Sequence, residues 1–262
     1  MKCTVLGAKG YIGRHLVKYL KAQGCEVFSP DRIDNSIFKK KLGHVFYSIG
    51  VTSDFRKRPF DTVKAHVSIL SEILEKSDFE SFLYLSSTRV YVRSTITEEN
   101  ADLKVLTRDS SDLYNISKLM GESLCLSCFR EGVRVARLSN VVGPNMDVNS
   151  LVGSLILDAR KGLVQLRTNP ESLKDYIYID DVVYLLWRIA ITGRLNIYNI
   201  ASGNRVSHRQ WLDYLYKFTD CEMAINENAP LESFPNINIE NIRTEFGFNP
   251  IPISKYISKL NI

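Results

Sequence analysis

The fold of this chain is decided by the stretch Lys2-Cys3-Thr4-Val5-Leu6-Gly7-Ala8-Lys9-Gly10-Tyr11-Ile12-Gly13. A short apolar run predicts a strand, and glycines begin directly after it and lead into a helical pattern. Gly7 permits a tight turn, Gly10 lets the backbone approach a pyrophosphate, and Gly13 lets the helix pack on the strand. The free amides at the helix N-terminus would face the phosphates. The pattern favours a dinucleotide-binding turn, including Tyr11 and Ile12, over a plain βα turn.

The second predicted strand, Cys25 to Ser29, ends in Pro30-Asp31-Arg32. An acid about 20 residues beyond the glycines can bind the adenosine ribose hydroxyls, so Asp31 favours NAD. Arg32 can instead hold a 2′-phosphate, which favours NADP. The sequence leaves both cofactors open.

The connection to the third predicted strand, His44 to Ile49, is short. A complete dinucleotide-binding half would place another helix and strand there, so we expect residues 33–42 to form a loop or one short helix. Beyond it, the pattern predicts a helix over Pro59–Lys76 and a strand that ends in Ser86-Ser87. A helix over Asp112–Arg130 and a strand over Val133–Leu138 follow. We interpret His66, in the first of these helices, as a structural hydrogen-bonding residue.

Composition limits the possible classes of protein. The 262 residues are 45% hydrophobic, enough to bury one sizeable core or a large and a small domain. The 34 basic and 29 acidic residues are scattered, so the formal charge of +5 suits a small anionic ligand and does not indicate nucleic acid. No apolar run reaches 18 residues and Met1-Lys2 leads directly into a strand, so neither a membrane span nor a signal peptide is expected. The five cysteines lack metal-site spacing, which predicts no metal and a reduced, cytoplasmic protein.

Tyr114 and Lys118 are four residues apart in the predicted helix and therefore leave the same face. An ammonium beside a phenol favours the phenolate, whose ordinary pKa is about 10. Lowering that pKa to about 7 requires roughly 4 kcal/mol. Ser87, at the end of a strand, can hold a substrate alcohol or carbonyl against the phenol. The alternative is a surface helix with an ordinary tyrosine and lysine.

Several motifs in order resemble one known family. They are the three glycines; Ser87 with Tyr114 and Lys118; the segments 137–144, 174–181 and 198–203; and Phe246-Gly247-Phe248-Asn249-Pro250. The chain resembles the extended short-chain dehydrogenases/reductases of the NAD-dependent epimerase/dehydratase group, which act on nucleotide sugars. The resemblance extends over nearly the whole chain.

The resemblance implies a Rossmann-like, doubly wound parallel α/β sheet, shortened after its second strand, with a small C-terminal substrate domain. Residues 1–142 and 176–202 would bind NAD(P), and residues 143–175 and 203–262 would bind the nucleotide sugar. Tyr114 would be the acid/base, Lys118 would hold the cofactor ribose and lower the pKa of Tyr114, and Ser87 would orient the reacting oxygen. The Tyr114 and Pro59 helices would form a homodimer interface.

The expected substrate-binding residues are Ser87, Thr88, Arg89, Asn140 and Lys174. Thr88-Arg89 stands where the 4,6-dehydratases carry an Asp-Glu pair, so dehydration is not expected. If residues 86–91 stay extended, Arg89 points to the same side as Ser87. Alternatively, Arg89 is a surface arginine that pairs with Glu98 or Glu99. Lys174 replaces the usual arginine, and it is either a phosphate contact or a solvated lysine.

The function predicted from these features is hydride transfer between a sugar carbon and nicotinamide. An epimerase and a 4-ketoreductase, an isomerase and an oxidoreductase respectively, both use this chemistry, and the sequence does not separate them. The alternative from another class is a cofactor-binding regulatory protein that has the fold and no turnover.

Overall fold

The computed structural model describes residues 1–31, 35–226 and 228–260. Its main sheet contains β1 (Lys2–Leu6), β2 (Glu26–Phe28), β3 (His44–Tyr47), β4 (Ser81–Ser87), β5 (Val133–Leu138) and β9 (Ile197–Ile200). All neighbouring strands are parallel, in the order β2-β1-β3-β4-β5-β9. The chain leaves β1 towards β2 and returns to the other side of β1 as β3. Ligands bind at such a switch point, outside the carboxyl ends of the strands.

Helices cover both faces of this sheet. One face carries α1 (Tyr11–Ala22) and α6 (Ile179–Thr192), and the other carries α2 (Pro59–Val63), a π-helical segment (Lys64–Ser68), α3 (Ile69–Lys76) and α4 (Asp112–Ser127). Side chains of β4 alternate between the two cores: Leu83 and Leu85 join the first, and Phe82 and Tyr84 join the second. Because both faces are buried, β4 has a continuous apolar sequence from Phe82 to Leu85.

A smaller set of elements follows the main sheet. The strands β6 (Asn140–Val142), β8 (Leu173–Tyr178) and β10 (Arg205–Ser207) form one sheet, and β7 (Leu163–Leu166) pairs with β11 (Glu222–Ile225). The helices are α5 (Leu151–Ala159), α7 (His208–Tyr216), α8 (Glu240–Phe246) and α9 (Ile253–Tyr256). Short 3₁₀ helices lie at Ile37–Lys39, Thr88–Tyr91 and Ile257–Leu260.

The predicted fold class is confirmed, and the shortened connection before β3 carries only the 3₁₀ helix at residues 37–39 among its described residues. Two local features differ from what the sequence indicated. The helix over residues 59–76 contains a π-helical segment, and the condition that residues 86–91 stay extended is not met, because β4 ends at Ser87. A 3₁₀ turn begins at Thr88 because the Ser87 side chain accepts the Arg89 backbone amide. β9 joins the main sheet and β8 the smaller one, while the proposed domain boundaries stay a prediction.

Within the described part of the chain, no helix has the length and apolar character needed to cross a membrane. No group of three or more His, Cys, Asp or Glu side chains among these residues could hold a metal ion. All five cysteines are free thiols, buried or half-buried.

Candidate active site

A cleft of about 790 Å³ opens at the carboxyl ends of β1, β3 and β4. One wall is the glycine turn with Gly10, Tyr11, Ile12 and Gly13. The floor and opposite wall contain Ser87, Thr88, Arg89, Tyr114, Lys118, Asn140 and Lys174. The structure therefore brings together most of the residues predicted from the sequence.

The glycine turn has little tolerance for side chains. Gly7 has a φ of +88°, and a Cβ there would lie 2.8 Å from the carbonyl carbon of Ser48. A Cβ on Gly13 would lie 2.3 Å from the Gly7 carbonyl oxygen, so α1 can approach β1 only without a side chain at this position.

The start of α1 fits a phosphate group. Gly10 is the N-cap residue, no side chain caps the first amides, and the first turn carries no acidic residue. These amides border the cleft and present the positive end of the helix dipole. The residues present therefore fit the pyrophosphate of a dinucleotide.

Asp31 lies beside this turn and outside the residues that line the cleft. Its carboxylate pairs with Lys9 at 3.1 Å, and both side chains are largely exposed. Arg32, the competing residue for a 2′-phosphate, is outside the described residues. The choice between NAD and NADP at this position stays a prediction.

Tyr114 is buried in α4, with 7% of its surface exposed. Burial raises the pKa of its phenol, while a hydrogen bond with Ser87 and the charge of Arg89 lower it. Ser87 and Tyr114 line the same cleft because β4 ends beside the first turns of α4. That Ser87 holds a substrate oxygen against the phenol stays a prediction.

Lys118 bonds to a backbone carbonyl of β4. Its Nζ donates a hydrogen bond to the Leu85 carbonyl oxygen at 2.8 Å and lies 5.0 Å from the centre of the Tyr84 ring. Burial lowers the pKa of Lys118 to about 7, partly offset by Glu122 one turn further along α4. The charge of Arg89 lowers the pKa of Tyr114, and the Lys118 amine bonds to the Leu85 carbonyl while still lining the cleft. The expectation that Lys118 lowers this pKa stays a prediction.

The π-helical segment places His66 against α4. The His66 ring lies 5.3 Å from the Tyr114 ring, nearly perpendicular to it. Ser117 Oγ donates to the Tyr114 carbonyl, so it accepts from His66 Nδ1 at 2.9 Å, and Nε2 accepts the Val51 amide at 3.4 Å. Burial lowers the pKa of His66 to about 2, which keeps the ring neutral. These contacts give His66 a structural role.

Backbone carbonyl oxygens of the π-helical segment accept hydrogen bonds from tyrosine hydroxyls of the main sheet. Tyr47 donates to the Ala65 carbonyl oxygen at 2.6 Å, and Tyr84 donates to that of His66 at 3.4 Å. Gly121 allows the close approach of α4, since a Cβ there would lie 2.5 Å from the Tyr84 hydroxyl oxygen. The sequence indicated none of this irregularity.

Arg89 lies in the cleft, half-buried, rather than on the surface with Glu98 or Glu99. The Glu99 carboxylate accepts from the Asn199 amide and from Asn241, and the Glu98 carboxylate accepts from Asn238. The Arg89 guanidinium is 5.8 Å from the centre of the Phe55 ring, and Phe55 packs 5.2 Å from the Tyr114 ring. The surface alternative for Arg89 is therefore excluded.

The remaining predicted substrate residues have clear positions in the cleft. Thr88 is buried and directs its hydroxyl at the Leu138 carbonyl oxygen, 3.4 Å away. Asn140 is exposed and donates to the Asp175 carbonyl oxygen at 2.8 Å. Lys174 is 20% exposed and pairs with Glu232 at 3.2 Å, so it is not a freely solvated lysine.

Several cleft residues were missed by sequence reasoning. Phe55 lies in the polar loop after β3, where its apolar ring is the one unusual feature. Arg14 of α1 donates to the Asn145 carbonyl oxygen, and Ser53 of the loop after β3 donates to Asp147 at 3.2 Å, so both contact residues 145–147. These pairings join segments about 90 to 130 residues apart, which no local pattern reports.

Comparisons with known proteins agree with this geometry. Residues 3–201 match the model of the NAD dependent epimerase/dehydratase family. The GDP-6-deoxy-D-mannose reductase of Pseudomonas aeruginosa is 25% identical over 84% of this chain and 81% of its own.

Two solved structures share the fold. RMD from Pseudomonas aeruginosa, complexed with NADPH, has a TM-score of 0.84 at 22% identity and covers 100% of this chain and 98% of its own. The UDP-glucuronic acid 4-epimerase of Bacillus cereus, in complex with UDP-glucuronic acid and NAD, has a TM-score of 0.82 at 18% identity, covering 100% and 98%. With a family match over 199 consecutive residues, numbered 3–201, and the expected glycine turn in place, this chain belongs to the NAD dependent epimerase/dehydratase family.

Proposed function

We propose that this chain is an NAD(P)-dependent enzyme that acts on a nucleotide sugar, as an epimerase or a 4-ketoreductase. The observation that carries the proposal is that Ser87 and Tyr114 line one cleft together with the glycine turn. A hydroxyl and a phenol at this position can hold and protonate one oxygen of a substrate. The family match and the names of the relatives support the substrate class.

When bound, NAD(P) supplies hydride acceptance and donation at its nicotinamide ring. The residues of the chain supply the proton. Tyr114 takes the proton from the sugar hydroxyl in an oxidation and returns it to the carbonyl oxygen in a reduction. Ser87 donates a hydrogen bond to the same oxygen and fixes its position. Lys118, buried beneath them, is available to hold the cofactor ribose.

Dehydration is not part of the proposal. Elimination of water needs a carboxylic acid and a base close to the sugar. In their place the chain has Thr88, directed at a backbone carbonyl, and Arg89, which stays charged. Asp147 is the one acidic residue among the described residues that line the cleft, and its carboxylate accepts a hydrogen bond from Ser53.

The decisive experiment is mass analysis of the nucleotide that co-purifies with the protein, together with the spectrum of its bound cofactor. We expect a nucleotide sugar and either tightly held NAD, as in an epimerase, or exchangeable NADPH, as in a reductase. Turnover of that sugar with the matching cofactor then tests catalysis. Binding of cofactor without turnover of any co-purified sugar would favour the regulatory alternative.

We further propose a cytoplasmic homodimer built on α2 and α4. Apolar side chains on or next to these helices are exposed: Phe60 (88%), Met120 (50%), Leu126 (43%) and Phe129 (98%). Exposed aromatic and aliphatic groups of this size are typical of interaction surfaces. The free thiols support a reducing compartment. Cell fractionation tests this location, and recovery of the protein outside the soluble cytoplasmic fraction would contradict it.

Light scattering of the purified protein tests the dimer. The wild type is expected at twice the mass of the chain, and Phe60→Glu is expected to shift it to the monomer. Phe218→Glu is the control, since Phe218 is also exposed (50%) and lies after α7, outside α2 and α4. A monomeric wild type would contradict the proposal.

A further inference from the structure

Arg89 presents a positive charge to the cleft without a carboxylate partner among the described residues. Its Nε is buried and has no hydrogen-bond partner in that part of the chain. The two carboxylates whose charge reaches it are engaged elsewhere. Asp112 pairs with Arg93 at 3.1 Å, and Glu232 pairs with Lys174 at 3.2 Å.

A second arginine adds to this charge. Arg56 lies 4.6 Å from the centre of the Phe55 ring, and Arg89 lies 5.8 Å from the same centre. Burial and the nearby charge of Arg56 lower the pKa of Arg89. Arg56 bonds to the neutral Ser111 hydroxyl, at 3.0 and 3.2 Å. Gathering two like charges, one of them desolvated, is unfavourable unless an anion binds between or beside them.

The position of this charge identifies the part of the substrate it faces. Phe55 packs on Tyr114, and Arg89 follows Ser87 by two residues, so the cation is at the reacting end of the cleft. The glycine turn, proposed to bind the cofactor phosphates, forms the other wall. A guanidinium recognises a carboxylate through two parallel N–H···O bonds, and Arg89 borders the cleft without a carboxylate partner among the described residues.

We propose that Arg89, assisted by Arg56, binds a carboxylate on the sugar ring, so that the substrate is a nucleotide-linked sugar acid. This inference rests on the proposed function and names its substrate class. A neutral sugar would leave the Arg89 charge unpaired in the complex, so neutral sugars should bind less tightly than sugar acids.

The test is calorimetric titration of the protein, saturated with whichever of NAD and NADP it binds, with matched pairs of probes. The pairs are UDP-glucose with UDP-glucuronate, and GDP-mannose with GDP-mannuronate, each beside its nucleoside diphosphate alone. In at least one series, the wild type should bind the acid at least tenfold more tightly than the neutral sugar. Arg89→Gln should reduce that ratio at least tenfold, and Arg89→Lys should reduce it less because it keeps the charge.

Arg243→Gln is the matched control, since Arg243 is exposed on α8 outside the residues that line the cleft, and the ratio should not change. The inference is overturned if the wild type shows no preference for the acid in either series. It is also overturned if Arg89→Gln weakens the binding of the nucleoside diphosphate as much as the binding of the sugar acid. A shift only in the pH dependence of turnover, with the preference intact, would assign Arg89 to the Tyr114 phenolate instead.

Failure of the inference is distinguishable from failure of the proposed function. Binding and turnover of a neutral nucleotide sugar, without preference for the acid, removes the inference and leaves the function. No binding of any of the four sugars overturns both. If Arg89→Gln does not fold, Arg56→Gln supplies the same comparison, with a smaller expected loss of the ratio.

Discussion

At the scale of single residues, Tyr114 carries the proposed proton transfer. Tyr114→Phe removes the phenolic proton and keeps the ring that packs on Phe55 and His66. We expect turnover to fall by about 10²–10⁴-fold, the usual effect of losing an acid/base, with NAD(P) affinity nearly unchanged. Steady-state kinetics with a cofactor titration measures both. Turnover close to wild type would contradict the assignment.

We expect that Lys118 is needed for activity and that its buried charge lowers the free energy of unfolding. Its ammonium is buried, and the neighbouring Glu122 is already paired with Arg137 at 2.7 Å. Lys118→Met therefore removes a desolvated charge without leaving a carboxylate unpaired. We expect the free energy of unfolding at pH 7 to rise, on the order of 1 kcal/mol, while activity is lost.

Thermal unfolding of the Lys118→Met variant measures this change. Lys76→Met, on an exposed pair with Glu72, is the control and should change stability little. A variant that unfolds more easily than wild type would show that the amine stabilises the fold through its bond to Leu85.

His66 links the site to acid stability. Its folded-state pKa of about 2 lies below the ordinary value of about 6.5, so the unfolded chain binds the extra proton between these values. The stability due to the neutral ring is therefore complete above about pH 6.5 and is lost as the pH falls. Each pH unit in that window removes at most about 1.4 kcal/mol.

His66→Gln cannot titrate, so the wild-type advantage in the free energy of unfolding should narrow between pH 6 and pH 4. Urea unfolding at several pH values measures the difference. A constant difference across that range would mean that His66 carries a proton in the folded protein.

At the scale of elements, two glycines of the glycine turn have different expected roles: Gly13 in packing and Gly10 in cofactor binding. A Cβ on residue 13 meets backbone atoms that cannot swing away, so Gly13→Ala should destabilise the protein by about 1–3 kcal/mol. A Cβ on residue 10 meets only the Gly7 carbonyl oxygen, at 3.3 Å. Gly10 also has a φ of −69°, which alanine adopts readily.

Gly10→Ala should therefore fold normally and lose NAD(P) affinity, because its methyl group borders the amides proposed to bind phosphate. Calorimetric unfolding and cofactor titration of both variants make the comparison. Wild-type affinity in Gly10→Ala would show that the cofactor phosphates do not approach this turn.

At the scale of the whole molecule, Asn199 joins the sheet to the C-terminal segment. Its buried amide donates to the carbonyl oxygens of Thr97 at 2.8 Å and Asn238 at 3.0 Å, and it accepts from Tyr91 at 3.0 Å. Asn199→Ala leaves these carbonyls buried without their partner. We expect a loss of about 2–4 kcal/mol in the free energy of unfolding.

Denaturant unfolding measures the loss, with the exposed Asn228→Ala as a control that should stay within about 0.5 kcal/mol. Equal stability of the two variants would mean that the C-terminal segment docks independently of this network.

The sequence by itself determined the strand–glycine–helix unit and the alternation of strands and helices, while the grouping of Ser87 with Tyr114 came from the family resemblance. These features depend on backbone conformation and on periodicity along one element, which a local pattern carries. The fold class and the family membership, which the resemblance of the ordered motifs implied, are confirmed.

Only the tertiary structure decided the π-helical segment at His66, the direction of Lys118 towards Leu85, and the unpaired charge of Arg89. Each depends on partners far away in the chain, such as Tyr47 and Tyr84 for the π-helical carbonyls, 18 residues before and after them. The pKa of Lys118 follows from how completely packing removes water from its amine, and the state of Arg89 follows from where Asp112 and Glu232 find other cations. Desolvation and long-range pairing are properties of the assembled fold, so the sequence named these residues and the packing set their chemistry.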